Sequence, residues 1–227
     1  MVTFKKLEKC LVMSQIFTKF VTKNINLTMQ KTEENVEKSI KSKPKGTLLF
    51  PEDFVKYGTS VAIRKALQRL REKGVIKQVT HGIYVCPKIN DFIGEVMPTA
   101  EEVAKGIAKR DKIKIVPTGA YALNALGLST QIPLNLVFLT DGAARKIKVG
   151  KRTIKLKKTT PKNLLAKGKI SALVIQALRE IGKDKATNDE LNKIVELLKK
   201  EDKRNLKHDI TLAPEWIKEI MKLALNG

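Results

Sequence analysis

The chain has 227 residues, with 45 lysines and arginines against 23 aspartates and glutamates, a formal net charge of +22. Apolar residues make up 42% of it, enough for a packed core, which excludes a wholly disordered chain. No stretch approaches the roughly 18–20 uncharged apolar residues that a membrane-spanning helix needs.

Residues 1–28 carry Lys5, Lys6, Lys9, Lys19 and Lys23 against Glu8 alone. Leu7, Leu11, Ile16, Phe17 and Phe20 fall at loosely helical spacing, but the run Leu11 to Met13 is too short for a signal-peptide core. Met29 opens a cleaner pattern, so 1–28 reads as an N-terminal extension ahead of the working start. The alternative is a helix that packs on the body or on a partner. Val36 and Ile40 predict a helix over 30–42, stopped by Pro44 and Gly46. Thr47 to Phe50 is short and apolar, and Pro51-Glu52-Asp53-Phe54 starts a helix. An amphipathic helix follows over 60–73, with Ile63, Ala66, Leu67 and Leu70 on one stripe and Gly74 after it. Residues 75–79 and 83–86 flank Thr80-His81-Gly82 as a hairpin, and the chain to Met97 reads as a loop.

Thr99 and Glu102 make a capping box for a helix to about Lys109. A strand is expected at 113–116, a short helix at 120–126 and a buried strand at 134–139. Residues 145–149 and 152–157 alternate around Gly150-Lys151 as a second hairpin. A helix is expected from Thr160-Pro161 to Ile181, with a break near Gly168, and another from Thr187 to Lys200. A last helix starts at Ala213-Pro214, with Trp216, Ile220 and Leu223 turned inward.

The expected architecture is α+β: an N-terminal winged helix-turn-helix over 29–97, then a mixed α+β domain over 98–227 with a small sheet and C-terminal helices. In a winged helix the 60–73 helix enters the major groove. Arginine forks onto guanine and glutamine onto adenine, so Ser60, Arg64, Lys65 and Gln68 are the candidates for reading bases. Arg69, Arg71, Lys77, Thr80 and His81 are candidates for the DNA backbone. The competing readings are ordinary solvated charges on a domain that docks on protein, and RNA binding. Only three tyrosines and one tryptophan occur, which argues against a single-strand binder built on base stacking.

A second basic feature lies behind it. Residues 142–179 contain no acid and twelve positive charges. Net charge is +4 over 1–28, +5 over 29–97 and +13 over 98–227. Arg145, Lys146, Lys148, Lys151, Arg152, Lys155, Lys157 and Lys158 sit on the second hairpin. Alternation there predicts one apolar face and one plane of lysines, suited to backbone phosphates or an acidic partner. The bland alternative is a merely basic strand pair.

No catalytic pattern is complete in the sequence. Gly150-Lys151-Arg152 lacks the rest of a phosphate-binding loop, and His81 and His208 are the only imidazoles. Asp141 has no second carboxylate before Glu180 to share a metal ion, and reads as a turn former. Cys10 and Cys86 give neither a disulfide framework nor a zinc spacing. A non-enzymatic protein with no metal or cofactor is expected, in a reduced, cytoplasmic setting without membrane attachment.

The stretch Ala66-Leu67-Gln68-Arg69-Leu70, Gly74-Val75-Ile76 and His81-Gly82-Ile83-Tyr84 resembles the N-terminal domain of AbiEi-type regulators, antitoxins of type IV abortive-infection toxin–antitoxin systems. Pro117 to Leu128, Val137 to Gly142 and Lys151 to Ile154 resemble the domain that follows it in that family. The resemblance covers about 30–200. It implies a bacterial repressor that binds duplex DNA at an inverted repeat in its own promoter. It also implies a functional partner, a nucleotidyltransferase-like toxin, counteracted without a stable complex. The protein is expected as a monomer or weak dimer in solution, paired on DNA. The rival functions are a non-specific basic nucleic-acid binder and a winged-helix docking adaptor.

Overall fold

The structure is a computed structural model and describes residues 29–226. The expected 1–28 extension and Cys10 lie outside the described residues. The chain is mixed α+β with small sheets and C-terminal helices, and divides at Pro98/Thr99 into two units.

The first unit starts with helix α1 over 29–41. Strand β1 (Leu48–Leu49), a 3₁₀ helix (Pro51–Tyr57), α2 (Ser60–Glu72), β2 (Lys77–Thr80) and β3 (Ile83–Val85) follow. The Thr59 hydroxyl accepts the Ala62 N–H at 3.3 Å and so caps α2. Ile63, Ala66, Leu67 and Leu70 are all buried, as the 3.6 period requires, against Val36 and Ile40 of α1 and Phe54. Burying each of the larger side chains is worth about 1.5–3 kcal/mol, well above the tenths that helix propensity supplies. The strands form an antiparallel sheet in the order β1-β3-β2, with Ile83 and Val85 buried. Gly82 takes φ +69° in the tight turn, where a side chain would be strained.

Where the sequence reads as a loop, the structure has a second hairpin, β4 (Lys88–Asn90) and β5 (Gly94–Val96). The Asn90 carboxamide oxygen accepts the N–H groups of Phe92 and Ile93 and shapes its turn. Both strands are almost wholly exposed. Without a buried face there is no alternation to read.

The second unit contains α3 (Ala100–Asp111), β6 (Ile115–Thr118), α4 (Ala120–Ala125), β7 (Asn135–Thr140), β8 (Arg145–Val149) and β9 (Arg152–Lys158). A 3₁₀ helix (Pro161–Leu164), α5 (Lys169–Ile181), α6 (Asn188–Leu198), α7 (Lys203–Ile210) and α8 (Glu215–Asn226) complete it. The predicted capping box at Thr99/Glu102 is formed, and Thr187 and Glu190 form a second one at the start of α6. The sheet order is β6-β7-β9-β8: β9 returns parallel to β7 and antiparallel to β8. Leu136, Phe138, Ile154 and Leu156 share its buried face, and the Tyr121 ring lies 5.3 Å from Phe138. A separate apolar cluster joins α4 to α8, with Val174, Leu178, Ile194, Leu198, Leu206, Ile217 and Met221 at its centre.

Two expectations need correcting here. Helix α7 falls where no element was expected, because Asp202 alone caps it and only Leu206 and Ile210 of its residues are buried hydrophobics. In α8 the inward stripe is Ile217, Met221 and Ala224, while Leu223 is exposed. A small residue, Ala224, completes the 3.6-residue row, and choosing the largest side chains misses it.

The break at Gly168 separates the 3₁₀ helix from α5 and has a definite cause. Gly168 caps α5 but has no side chain to do it. Residues some thirty to forty positions later supply the acceptors instead. Buried Asp209 accepts the N–H groups of Lys167 and Gly168 at 2.9 and 2.8 Å and the Ser171 hydroxyl. Glu201 accepts the Ile170 and Ser171 N–H groups at 2.7 and 3.3 Å. A Cβ at residue 168 would lie 2.5 Å from the Glu201 carboxylate, so glycine admits that approach.

Candidate nucleic-acid interface

The outer face of α2 carries Ser60, Arg64, Lys65 and Gln68, all exposed. They sit opposite the buried stripe because both sets follow the same helical period. Their present partners are weak and local. Arg64 Nε donates to the Ser60 carbonyl at 3.3 Å, and the Gln68 amide donates to Glu72 at 3.0 Å. At a helix surface such contacts are worth a few tenths of a kcal/mol, so the side chains are easily recruited by a ligand.

The backbone candidates divide. Arg71 donates to Gln78 Oε1 at 2.5 Å, tying the end of α2 to β2, and His81 is exposed at the β2–β3 turn. Thr80 is half-buried, and Lys77 is 3.3 Å from Glu95 of β5. Arg69 is differently employed. Its guanidinium pairs with Glu33 of α1 at 3.2 Å, and Lys73 reaches the same carboxylate at 2.5 Å. The Lys73 ammonium holds the Glu33 carboxyl below its usual range. Glu33 is only 7% exposed, so this clamp fastens α1 to α2. Its signal was absent from the sequence, because Glu33 and Arg69 are far apart in the chain. Arg69→Ala is expected to lower stability by up to about 1 kcal/mol, read by thermal unfolding, and to leave the salt dependence of nucleic-acid binding unchanged.

In the second unit, strand register fixes the basic face. Thr118, Val137, Lys155 and Lys146 are successive neighbours across β6, β7, β9 and β8 and therefore share one face. Val116, Leu139 and Lys157 form a parallel row, and Lys148 stands opposite Thr153. Among the described residues, Lys146, Lys148, Lys151, Lys155, Lys157 and Lys158 have no carboxylate within salt-bridge distance. Lys146, Lys148, Lys157 and Lys158 are exposed on the strands, Lys151 is exposed at the turn, and Lys155 and Arg152 are half-buried.

Arg145 lies on the opposite face, in register with Leu156 and on the Phe138 side. There it pairs with Asp111 at the end of α3, which also binds Arg110 at 2.6 Å. The Arg110 guanidinium beside Asp111 holds its carboxyl below the usual range. Arg145 thus belongs to the scaffold rather than to the lysine rows. Asp141 accepts the Lys114 N–H at 2.9 Å and fastens the approach to β6.

Residues 35–206 match a family of unknown function, DUF6088, and the chain belongs to that family. No curated protein matches the chain. A solved structure, that of the RV2827C protein from Mycobacterium tuberculosis, is similar with a TM-score of 0.42 at 12% identity, over 87% of this chain and 81% of that one.

Proposed function

We propose that this member of the DUF6088 family is a duplex-DNA-binding repressor whose first unit is a winged helix. The observation that carries the reading is the exposed quartet Ser60, Arg64, Lys65 and Gln68 on a helix fixed against a β1-β3-β2 sheet. Helix, strand, short helix, helix and hairpin follow one another in the order a winged helix requires. Base readout falls to the quartet and backbone contact to Arg71, Lys77, Thr80 and His81. The lysine rows of the second unit, with Lys151, Arg152 and Lys158, grip flanking phosphates. The resemblance of both units to AbiEi-type regulators extends the proposal to a non-enzymatic, cytoplasmic antitoxin of a type IV system, paired on an inverted repeat.

Affinity for the DNA upstream of its own gene, compared with scrambled DNA at physiological salt, tests this. A specific site is expected to bind at least about 10³-fold more tightly; equal affinities overturn the repressor. The lysine rows favour one rival, a non-specific nucleic-acid binder, which predicts that equality. Arg64→Ala is expected to cost roughly 1–3 kcal/mol on the specific site and to relax preference at one base pair, measured by titrating a panel of single-base variants.

A further inference from the structure

The apolar side chains of the β4–β5 hairpin are turned out of the fold. Phe92 is 97% exposed at its turn, Ile89 79% and Ile93 73%. None of the three joins the core of the first unit. The turn is nonetheless fixed, since the Asn90 carboxamide oxygen accepts the Phe92 and Ile93 N–H groups at 2.9 and 3.2 Å. β4 and β5 pair with each other and with no third strand. A two-stranded sheet with no covered face is marginal in water. Large apolar side chains clustered on such an element mark a surface that another molecule covers.

We propose that a second copy of this chain covers it, with the hairpins of two copies packed apolar side to apolar side about a two-fold axis. Charge selects that occupant. Residues 88–96 hold one lysine, Lys88, against Asp91 and Glu95, and Asp91 directly precedes Phe92. A polyanion needs cations, so nucleic acid is disfavoured there. Two chains of net charge +22 repel one another through their lysine-rich surfaces. At the hairpins they meet without an excess of facing cations. Area agrees with charge. The three exposed side chains offer on the order of 500 Å². A symmetric contact uses the same patch twice and so buries on the order of 1,000 Å² in all, the lower bound for a specific interface. The dimer is therefore weak and reversible. It is a property of the free chain and does not rest on DNA binding.

Sedimentation equilibrium of the full chain over a concentration series tests this. A monomer–dimer equilibrium is expected. Raising salt from about 0.1 to about 1 M should tighten it, because salt screens the repulsion between two positive chains and spares apolar contact. Phe92→Asp should weaken the dimer at least about tenfold, since both copies lose the contact. Phe92 is almost wholly exposed in the single chain, so the fold tolerates the change, and circular dichroism checks it. Ile93→Ser should weaken the dimer as well. Leu223→Ser, at an exposed apolar side chain of α8, should not. A chain that stays monomeric at every concentration overturns the proposal, whether the hairpin is bare or is covered by another part of the same chain or by a different protein. A dimer indifferent to both hairpin variants overturns it too. So does one that dissociates as salt rises, because that contact would join the hairpin's acids to a lysine face instead. Operator specificity is read separately from the quartet on α2, so either proposal fails without the other.

Discussion

Asp209→Ala is expected to lower the stability of the second unit by about 3 kcal/mol, the scale for removing one member of a buried charged network. The Asp209 side chain is fully buried and accepts from Lys167, Gly168 and Ser171, with His208 Nδ1 2.7 Å away. Alanine leaves the buried Gly168 N–H and Ser171 hydroxyl without that acceptor, and removes the cap from a helix whose own cap residue is glycine. The pH dependence has a definite sign. Although burial alone would raise the Asp209 pKa, its hydrogen bonds, the Ser171 hydroxyl foremost, set the pKa below the usual aspartate value. A depressed folded pKa contributes stability that is fully present above the unfolded value, about 4, and is lost as pH falls through the folded one. The gap between native and variant should thus be constant from pH 6 to 8 and shrink only in acid. The sole tryptophan, Trp216 on α8, packs against the helical cluster and reports this unit by fluorescence during urea unfolding. A gap below about 1 kcal/mol at neutral pH would show that water satisfies these donors without Asp209.

The same residues show what the chain makes legible. Local rules worked where the determinant lies within one turn or one strand. Thr99 with Glu102, the Ile63-Ala66-Leu67-Leu70 stripe and the alternation on β8 and β9 each act over a few positions, and each is seen in the structure. Contacts between distant segments are silent in a single sequence. Nothing local distinguishes Arg69, clamped by Glu33, from Arg71, or Arg145, held by Asp111, from Lys146 one residue on. Strand register assigns those two neighbours to opposite faces, and the sign of charge cannot. The short hairpin at 88–96 was missed for a related reason: an element that buries nothing leaves no periodicity. The quartet on α2 was legible because exposure there follows directly from the buried stripe.

Replacing Lys146, Lys148, Lys155 and Lys157 together with glutamine is expected to lower duplex-DNA affinity about 10³-fold at 0.15 M salt and to flatten the slope of log K against log salt by about 3.6. Those figures follow if each lysine neutralises one phosphate and releases one condensed counterion. Operator and scrambled DNA should lose affinity equally, because phosphate contacts carry no sequence information. Fluorescence anisotropy across a salt series measures both quantities, and an unchanged slope would remove this face from the DNA. The fold should not suffer. Lys146 stands directly opposite Lys155 on paired strands, and like charges so placed repel. The buried side of the same strands, Ile154 and Leu156, is untouched by the change. The variant is therefore expected to be at least as stable as the native chain. A surface that costs stability in the free protein and is relieved by neutralisation fits a polyanion partner better than a solvated, unoccupied face. If stability fell with affinity, the lysines would be holding the sheet, and the loss of binding would say nothing about phosphates.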